Sequence, residues 1–251
     1  MDAILLMLTS LDGPMGILLV PIAAVLWLNK PENRTKKIPI VLLCCSALVQ
    51  TVTILWSHSR TVHSNGTTLV RLISILGRQI FLGSLLGMNL VYQLIRMHSA
   101  YAIEVAAVLL GLAILLYGFW HARLEIRLLL TFATVVFEAS LLRPLANPTG
   151  PQREFLRIPG CGTRYYFFPM IAFLTAVVWC ARNAATPKAI RYVAIFGLLL
   201  LRVGLYRDWH YPAFVDFHFK DPAARFEEAP AGTKVTIPIN PPGWAMRLTK
   251  R

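Results

Sequence analysis

Acidic residues are scarce in this chain. It has 12 Asp and Glu against 25 Lys and Arg, and charged residues make up only 15% of its 251 residues, whereas soluble domains average about 25%. So few charges argue against a surface that faces water on all sides. The formal charge of +13 would suit a nucleic-acid-binding surface. However, the basic residues are scattered between apolar stretches and no nucleic-acid-binding motif is present, so we do not expect nucleic acid as a partner.

Several signatures of enzymes and secreted domains are also missing. The four cysteines do not suggest a disulfide framework, because Cys44, Cys45 and Cys180 fall inside apolar stretches. The chain has no glycine-rich phosphate loop, no nucleophile elbow, no metalloprotease helix and no trustworthy metal-ligand spacing. We therefore predict neither a metal nor a cofactor. The apolar start of the chain lacks the basic lead and cleavage site of a secretory signal, and we interpret it as part of the mature protein.

Long apolar runs are what the chain has instead. Hydrophobic residues make up 56% of it, and its mean hydropathy is +0.58. A spanning helix needs about 20 mostly apolar residues, because each residue rises ~1.5 Å through a hydrocarbon core ~30 Å thick. The pattern predicts an all-α polytopic transmembrane protein of about seven helices within 1–206, with spans near 3–28, 38–56, 79–95, 100–120, 126–142, 165–181 and 189–206.

The third span has an unusual beginning. Arg71 and Arg78 precede the apolar stretch that starts at Phe81, so we predict an interfacial helix that leads into a single crossing. Asn89 is the amide expected to be buried in it.

With seven crossings, the tail shares one side of the membrane with loops 29–37, 96–99 and 143–164. The opposite side receives 57–80, 121–125 and 182–188. The count of basic residues favours the first side as cytoplasmic.

The tail, 207–251, differs from the rest in its polar and proline-rich composition. Its six prolines exclude long helices. Alternation over 234–240 predicts a short strand, and 241–243 predicts a turn after it. Since so short a segment cannot form an independent core, we predict an extramembrane tail with little β structure that packs on the membrane domain.

Arginine and aromatic side chains cluster around the long loop. Guanidinium groups bind phosphate oxygens in pairs, and an aromatic ring can stack on a sugar. This cluster predicts a site for the phosphate or sugar of a membrane lipid, formed by Arg143, Arg153, Arg157, Arg164, Tyr165 and Tyr166. The alternative is that these residues only anchor the chain among lipid headgroups.

Two acidic residues inside predicted spans are candidates for catalysis. An ionised carboxylate is costly in hydrocarbon and usually faces a cavity or a partner, which draws attention to Asp12 and Glu138. Glu138 lies within about a turn of its helix end, where it would act as a base near a bound phosphate or form a structural ion pair with Arg143. Glu104 lies near a helix start, and we expect it to snorkel to the interface.

Three motifs carry a resemblance to a known family. They are Ser10-Leu11-Asp12-Gly13-Pro14 before an aliphatic helix, Arg164-Tyr165-Tyr166-Phe167-Phe168-Pro169 at the opening of a late span, and Ile237-Pro238-Ile239-Asn240-Pro241-Pro242-Gly243-Trp244. Together they resemble the C-terminal part of bacterial multispanning proteins related to GT-C type glycosyltransferases, which move a sugar from a polyprenyl phosphate carrier.

The resemblance implies a place in the bacterial inner membrane and a polyprenyl-phosphate-linked sugar as partner. It also implies a role in lipid-linked sugar or cell-envelope polysaccharide metabolism. Family enzymes carry an acidic catalytic residue in their first external loop, where this chain has only Glu32, so enzymatic activity is left open.

Two other functions also remain open. One is a transporter or flippase with a path lined by Asp12, Gln50, Asn89 and Glu138, for which inverted repeats would be expected. The other is a non-catalytic membrane subunit that recruits a partner through its tail.

Overall fold

The computed structural model describes residues 15–29, 37–56, 68–97, 100–142, 152–209, 213–240 and 244–250. These ranges form two compact units, the helical unit (1–207) and the tail (208–251). The helices are α1 (Met15–Asn29), α2 (Lys37–Trp56), α3 (Leu69–Leu94), α4 (Ala100–His121), α5 (Leu124–Leu142), α6 (Gln152–Leu156), α7 (Phe167–Arg182), α8 (Lys188–Asp208) and α9 (Lys220–Glu228). The strands are β1 (Lys234–Ile239) and β2 (Trp244–Thr249).

The mostly helical architecture is confirmed, but the described residues form nine helices rather than about seven. Each predicted span overlaps a described helix, and residues 3–14 of the first span lie outside the described ranges. The two additional helices are α6 and α9, which were missed because they are too short and polar for a criterion based on about 20 apolar residues. By length and composition alone, four helices, α2, α3, α4 and α8, could cross a membrane, which fits an integral membrane protein, although α3 is broken at Gly87.

Helix α4 shows why a bilayer suits this fold. Its buried residues recur every three or four positions and so form one stripe, made of Glu104, Val108, Gly111, Ile114 and Gly118. Leucines fill much of the remaining surface and are exposed, among them Leu109, Leu110, Leu112 and Leu116. An outer surface this rich in leucine is compatible with lipid as the solvent.

Small residues let the helices around α4 approach closely. A Cβ atom on Gly111 would lie only 2.3 Å from the ring of Phe81, whereas one on Gly118 would lie 3.6 Å from Cβ of Ala176. Phe81 in turn meets Phe173 edge to face, with ring centroids 4.9 Å apart. Because lipid tails are as apolar as leucine, such close packing, rather than removal of apolar area from water, holds membrane helices together.

Gly87 breaks helix α3. Its φ of 75° and ψ of 166° are not helical, and glycine is the residue that adopts a positive φ at no steric cost. A straight helix would place Leu94 about 25 Å from Gly77. Instead, a Cβ atom on Gly77 would lie 3.1 Å from Cβ of Glu104, which is in the first turns of α4 and follows Leu94 closely along the chain. Helix α3 therefore runs inward as far as Gly87 and then doubles back.

This hairpin corrects the predicted arrangement of the third span. Arg71 contacts Glu154, with 3.5 Å between Nη2 and Oε2, and Gln79 bonds to the carbonyl of Leu156. Residues 71–79 therefore lie on the same side as the end of the long loop, and the prediction that places 57–80 opposite it is wrong for this part. The prediction of an interfacial helix with one crossing is also wrong, because it treated an apolar hairpin as a straight segment.

The two ends of the helical unit therefore differ in structure. We call the end that carries 152–166 and the starts of α3 and α4 the loop end. We call the other end, with the short connections 122–123 and 183–187, the turn end. Helix α3 enters and leaves at the loop end.

The tail contains α9 and an antiparallel hairpin in which Lys234 pairs with Thr249 and Ile239 with Trp244. The predicted strand at 234–240 is confirmed, β2 was not predicted, and the turn at 241–243 lies outside the described residues. The side chain of Asn240 accepts a hydrogen bond from the amide of Val215 (3.1 Å) and donates one to its carbonyl (2.8 Å). Packing of the tail on the membrane domain stays a prediction.

Candidate functional site

The segment 152–166 at the loop end carries most of the predicted binding residues. It consists of α6, a series of turns and a 3-10 turn at Thr163–Tyr165. Leu156 and Tyr166 are fully buried, and the hydroxyl of Tyr166 donates to the carbonyl of Leu156 at 2.9 Å. Tyr166 was predicted to contact a lipid or sugar. The structure places it in the core, where it positions the segment and is not accessible to a ligand.

Gln79 also fixes this segment. Its amide nitrogen donates to the carbonyls of Leu156 at 2.8 Å and Ile158 at 2.5 Å, while its side-chain oxygen is buried and has no hydrogen-bond partner. Sequence reasoning missed Gln79 and expected Asn89 to be the buried amide, but Asn89 is exposed. Gln79 lies in the π-helical part of α3, Leu76–Leu82, and π-helical turns are frequent at functional sites.

A buried ion pair lies beside Gln79. Nε of Arg78 is 2.7 Å from Oε1 of Glu104, and the hydroxyl of Ser74 donates to Oε2 of Glu104 at 2.7 Å. Glu104 is only 1% exposed, so the prediction that it snorkels to the interface is wrong. Gly77 permits the contact, because it has no Cβ atom where the backbone of Glu104 approaches α3. With both carboxylate oxygens bonded, this pair satisfies the condition under which a buried charge is tolerated.

The arginines on the outside of the segment have weaker contacts. Glu154 is shared between Arg157, at 3.6 Å, and Arg71, at 3.5 Å, and such exposed pairs contribute little to stability. Arg164 lies 4.9 Å from the ring centroid of Tyr165 and donates to its hydroxyl at 2.9 Å. The contacts therefore hold these guanidinium groups in place without neutralising all of them.

Arg153 has the least satisfied guanidinium group of the segment. Its Nη2 lies 3.5 Å from the carbonyl of Leu141, and its Nε is buried without a hydrogen-bond partner. A buried donor without a partner costs about 1–3 kcal/mol. Arg153, Arg157, Arg164 and Tyr165 share one folded segment whose described acidic residue, Glu154, balances only one of its positive charges. The arrangement is suited to an anionic ligand.

The predicted catalytic residues are only partly placed. Asp12 and Arg143 lie outside the described residues. Glu138 is exposed on α5, next to the buried Phe137, so it faces away from the core, and its pairing with Arg143 stays a prediction. The contact between Arg153 and the carbonyl of Leu141 brings the guanidinium group within about one helical turn of Glu138.

Metal ligands and thiols add little to this site. Within the described ranges, no group of three or more His, Cys, Asp or Glu side chains is placed to hold a metal ion. Cys161 lies in the segment and is half-buried, and burial raises the pKa of its thiol. A thiol with a raised pKa reacts slowly, because less of it is thiolate.

No protein-family model, curated protein or solved structure matches the chain. The relation to GT-C type glycosyltransferases therefore stays a prediction.

Proposed function

We propose that this chain is a multi-pass inner-membrane protein that binds the phosphate of a polyprenyl-phosphate-linked sugar at the loop end. The observation that carries the proposal is the placement of Arg153, Arg157 and Arg164 on one folded segment whose described acidic residue is Glu154 alone. A phosphate oxygen is a strong acceptor for such guanidinium groups in a membrane protein. The lipid chain of the same molecule would lie in the surrounding bilayer.

The neighbouring residues supply the rest of the site. Arg157 extends from the end of α6 and shares its carboxylate partner, Glu154, with Arg71, so an anionic phosphate would compete for it. Arg164 is held over the ring of Tyr165, which places a further guanidinium group on the same segment. The ring of Tyr165 offers a surface for the sugar.

Rigidity of the segment supports the same proposal. Gln79 and Tyr166 both bond to the carbonyl of Leu156 from buried positions, which ties 152–166 to α3 and to the start of α7. A pre-organised site loses less conformational entropy when it binds. Transfer of the sugar is the further step that the resemblance implies, and Glu138 and Asp12 are the carboxylates that we propose for it.

Binding of a polyprenyl-phosphate sugar to the purified protein in detergent tests the proposal. We expect the triple variant R153A/R157A/R164A to lose affinity by about a hundredfold or more, because each charge-assisted hydrogen bond contributes about 1.5–3 kcal/mol. The matched variant K188A/R202A/R207A removes the same charge from exposed positions of α8 and should bind normally. Equal affinity of the triple variant and the unaltered protein would refute the proposal, and equal loss in both variants would show that only bulk charge matters.

Transport of a lipid or solute is the second candidate, and the hairpin in α3 favours it. Discontinuous helices often line the substrate sites of transporters, and the chain next to the break at Gly87 packs closely against α8 at Gly204. Proteoliposomes with a fluorescent lipid test this function. Faster movement of the lipid between leaflets would favour transport, and no acceleration over empty vesicles would exclude lipid flipping.

A further inference from the structure

A second cavity lies at the turn end, away from the residues of the proposed phosphate site. It has a volume of about 930 Å³ and is lined by the end of α4, the start of α5 and α7 from Ile171 onward. Basic and polar side chains form its outer part, namely His121, Arg123, Arg182 and Asn183. No lining residue is acidic, and the neighbouring Glu125 does not line the cavity.

The two arginines of this cavity are not engaged in capping the helices. The carbonyl of Ala122, next to the end of α4, accepts a hydrogen bond from Arg127 at 2.9 Å. The carbonyl of Ala181, in the last turn of α7, accepts one from Arg191 at 3.3 Å. Arg123 and Arg182 are exposed, and no ion pair joins either of them to another residue in the described part of the chain. Their charge is available to a ligand.

An apolar stripe leads away from these charges along α7. Ile171, Leu174 and Val178 line the cavity at spacings of three and four residues, so they share one face of the helix. From Arg182 at the end of α7 to Ile171, the stripe extends about 16 Å. The stripe is long enough for a large part of one acyl chain, because each leaflet contributes ~15 Å to the hydrocarbon core of the bilayer.

We infer that this cavity binds an anionic glycerophospholipid of the bilayer, with its phosphate between Arg123 and Arg182 and one acyl chain along the stripe of α7. Basic pockets between membrane helices bind anionic headgroups in this way. His121 completes the headgroup site. Its Nδ1 is 3.1 Å from the carbonyl of Tyr117, and its ring stacks on that of Tyr117. Nε2 is therefore the ring nitrogen left for a headgroup hydroxyl.

Native mass spectrometry of the full-length protein, titrated with phosphatidylglycerol and with phosphatidylcholine, tests the inference. We expect preferential retention of phosphatidylglycerol by the unaltered protein. The variant R123A/R182A should lose this preference, with affinity for phosphatidylglycerol lower by about tenfold or more. The matched control R202A/R207A removes two exposed arginines of α8 and should keep it. Equal lipid retention by R123A/R182A and the unaltered protein would overturn the inference.

A second variant tests the acyl-chain part of the site. Val178 is 40% exposed, so Val178→Trp should fold normally and obstruct the stripe, and retention of phosphatidylglycerol should fall. Unchanged retention in this variant would show that no acyl chain lies there. Competition by millimolar inorganic phosphate would show a free anion site and would also overturn the lipid assignment. Binding at Arg153, Arg157 and Arg164 is measured separately, so the two proposals fail independently.

Discussion

The two ends of the helical unit use arginine in different ways. At the loop end, Arg78 is paired with the buried Glu104, and Arg71 and Arg157 share Glu154. At the turn end, Arg123 and Arg182 are exposed and have no carboxylate partner in the described ranges. The loop end therefore combines an arginine fixed by a buried carboxylate with those proposed to bind a phosphate, whereas neither arginine of the turn end has such a partner in the described ranges.

The difference follows from where the few acidic residues lie. The chain has only 12 Asp and Glu for 25 Lys and Arg, so there are too few carboxylates to give each basic residue its own partner. Where a carboxylate is buried, as Glu104 is, its partner must stay to avoid an uncompensated charge in a medium of low dielectric. Where no carboxylate is near, the arginine stays solvated or meets a lipid phosphate.

The largest effect should come from breaking the buried pair at the loop end. Glu104→Gln leaves the guanidinium group of Arg78 buried without its counter-charge, and we expect a loss of about 3–5 kcal/mol in the free energy of unfolding. Denaturation by SDS in mixed micelles measures it. Glu138→Gln removes an exposed carboxylate from α5 and serves as the control, with little change expected.

A double variant shows whether this loss comes from the unpaired charge. R78L/E104L replaces both charges with apolar side chains and should be more stable than Glu104→Gln alone, since a buried ion pair is often replaced without cost. A double variant that is less stable than the single one would mean that Arg78 has further essential contacts. The contrast between the two ends would then be smaller than we describe.

The hairpin of α3 offers the next test, because it brings the charged residues of α3 to the loop end. A Cβ atom on Gly204 of α8 would lie 2.6 Å from the carbonyl oxygen of Leu85, next to the break at Gly87. We expect Gly204→Ala to lower the free energy of unfolding by about 1–3 kcal/mol, since backbone must move. Gly118→Ala, with 3.6 Å of room, should be neutral or stabilising by up to about 1 kcal/mol. Equal stability of the two variants would contradict the close approach of α3 to α8.

The smallest expected effect is local opening of the segment 152–166. Gln79→Leu leaves the carbonyl of Ile158 without this donor and that of Leu156 with Tyr166 alone, at a cost of about 1–3 kcal/mol. In a background without the other three cysteines, maleimide labelling of Cys161 should become about tenfold faster. Gln93→Leu, which removes an exposed amide of the same helix, is the control.

The pH dependence of this labelling gives a second readout. Burial raises the pKa of Cys161, so the folded segment should reach its half-maximal labelling rate at a higher pH than an exposed cysteine does. Release of the segment returns the pKa towards its ordinary value, and the rate profile of Gln79→Leu should move to lower pH. An unchanged profile would show that Gln79 does not hold the segment.

Much of the fold could be predicted from the sequence because hydrocarbon imposes a minimum helix length. The apolar stretches of α2, α4 and α8 meet it and are helices. The hairpin in α3 could not be predicted in this way. Gly87 lies in an apolar stretch that reads as one span, and only its positive φ turns the chain back. Pairing of Arg78 with Glu104 depends on that turn and was therefore also missed.

The candidate site shows a similar limit. Arg153, Arg157 and Arg164 were found because arginines near tyrosines at a predicted helix start are a compositional signal. The sequence could not show that Tyr166 is buried while Tyr165, the residue before it, is partly exposed, because both residues precede the same helix. Gln79 carried no signal of its own, since its partners are backbone carbonyls far along the chain.

The bond between Asn240 and Val215 has a consequence for the tail. The side-chain amide of Asn240 both donates a hydrogen bond to Val215 and accepts one from it, as a residue does with its partner in an antiparallel pair of strands. The Asn240 side chain thus makes the two hydrogen bonds that a residue of a third strand would make beside the hairpin. A two-stranded hairpin is marginally stable alone. The two bonds therefore hold the chain at Val215 against the residue that follows β1, a contact that an isolated two-stranded hairpin lacks.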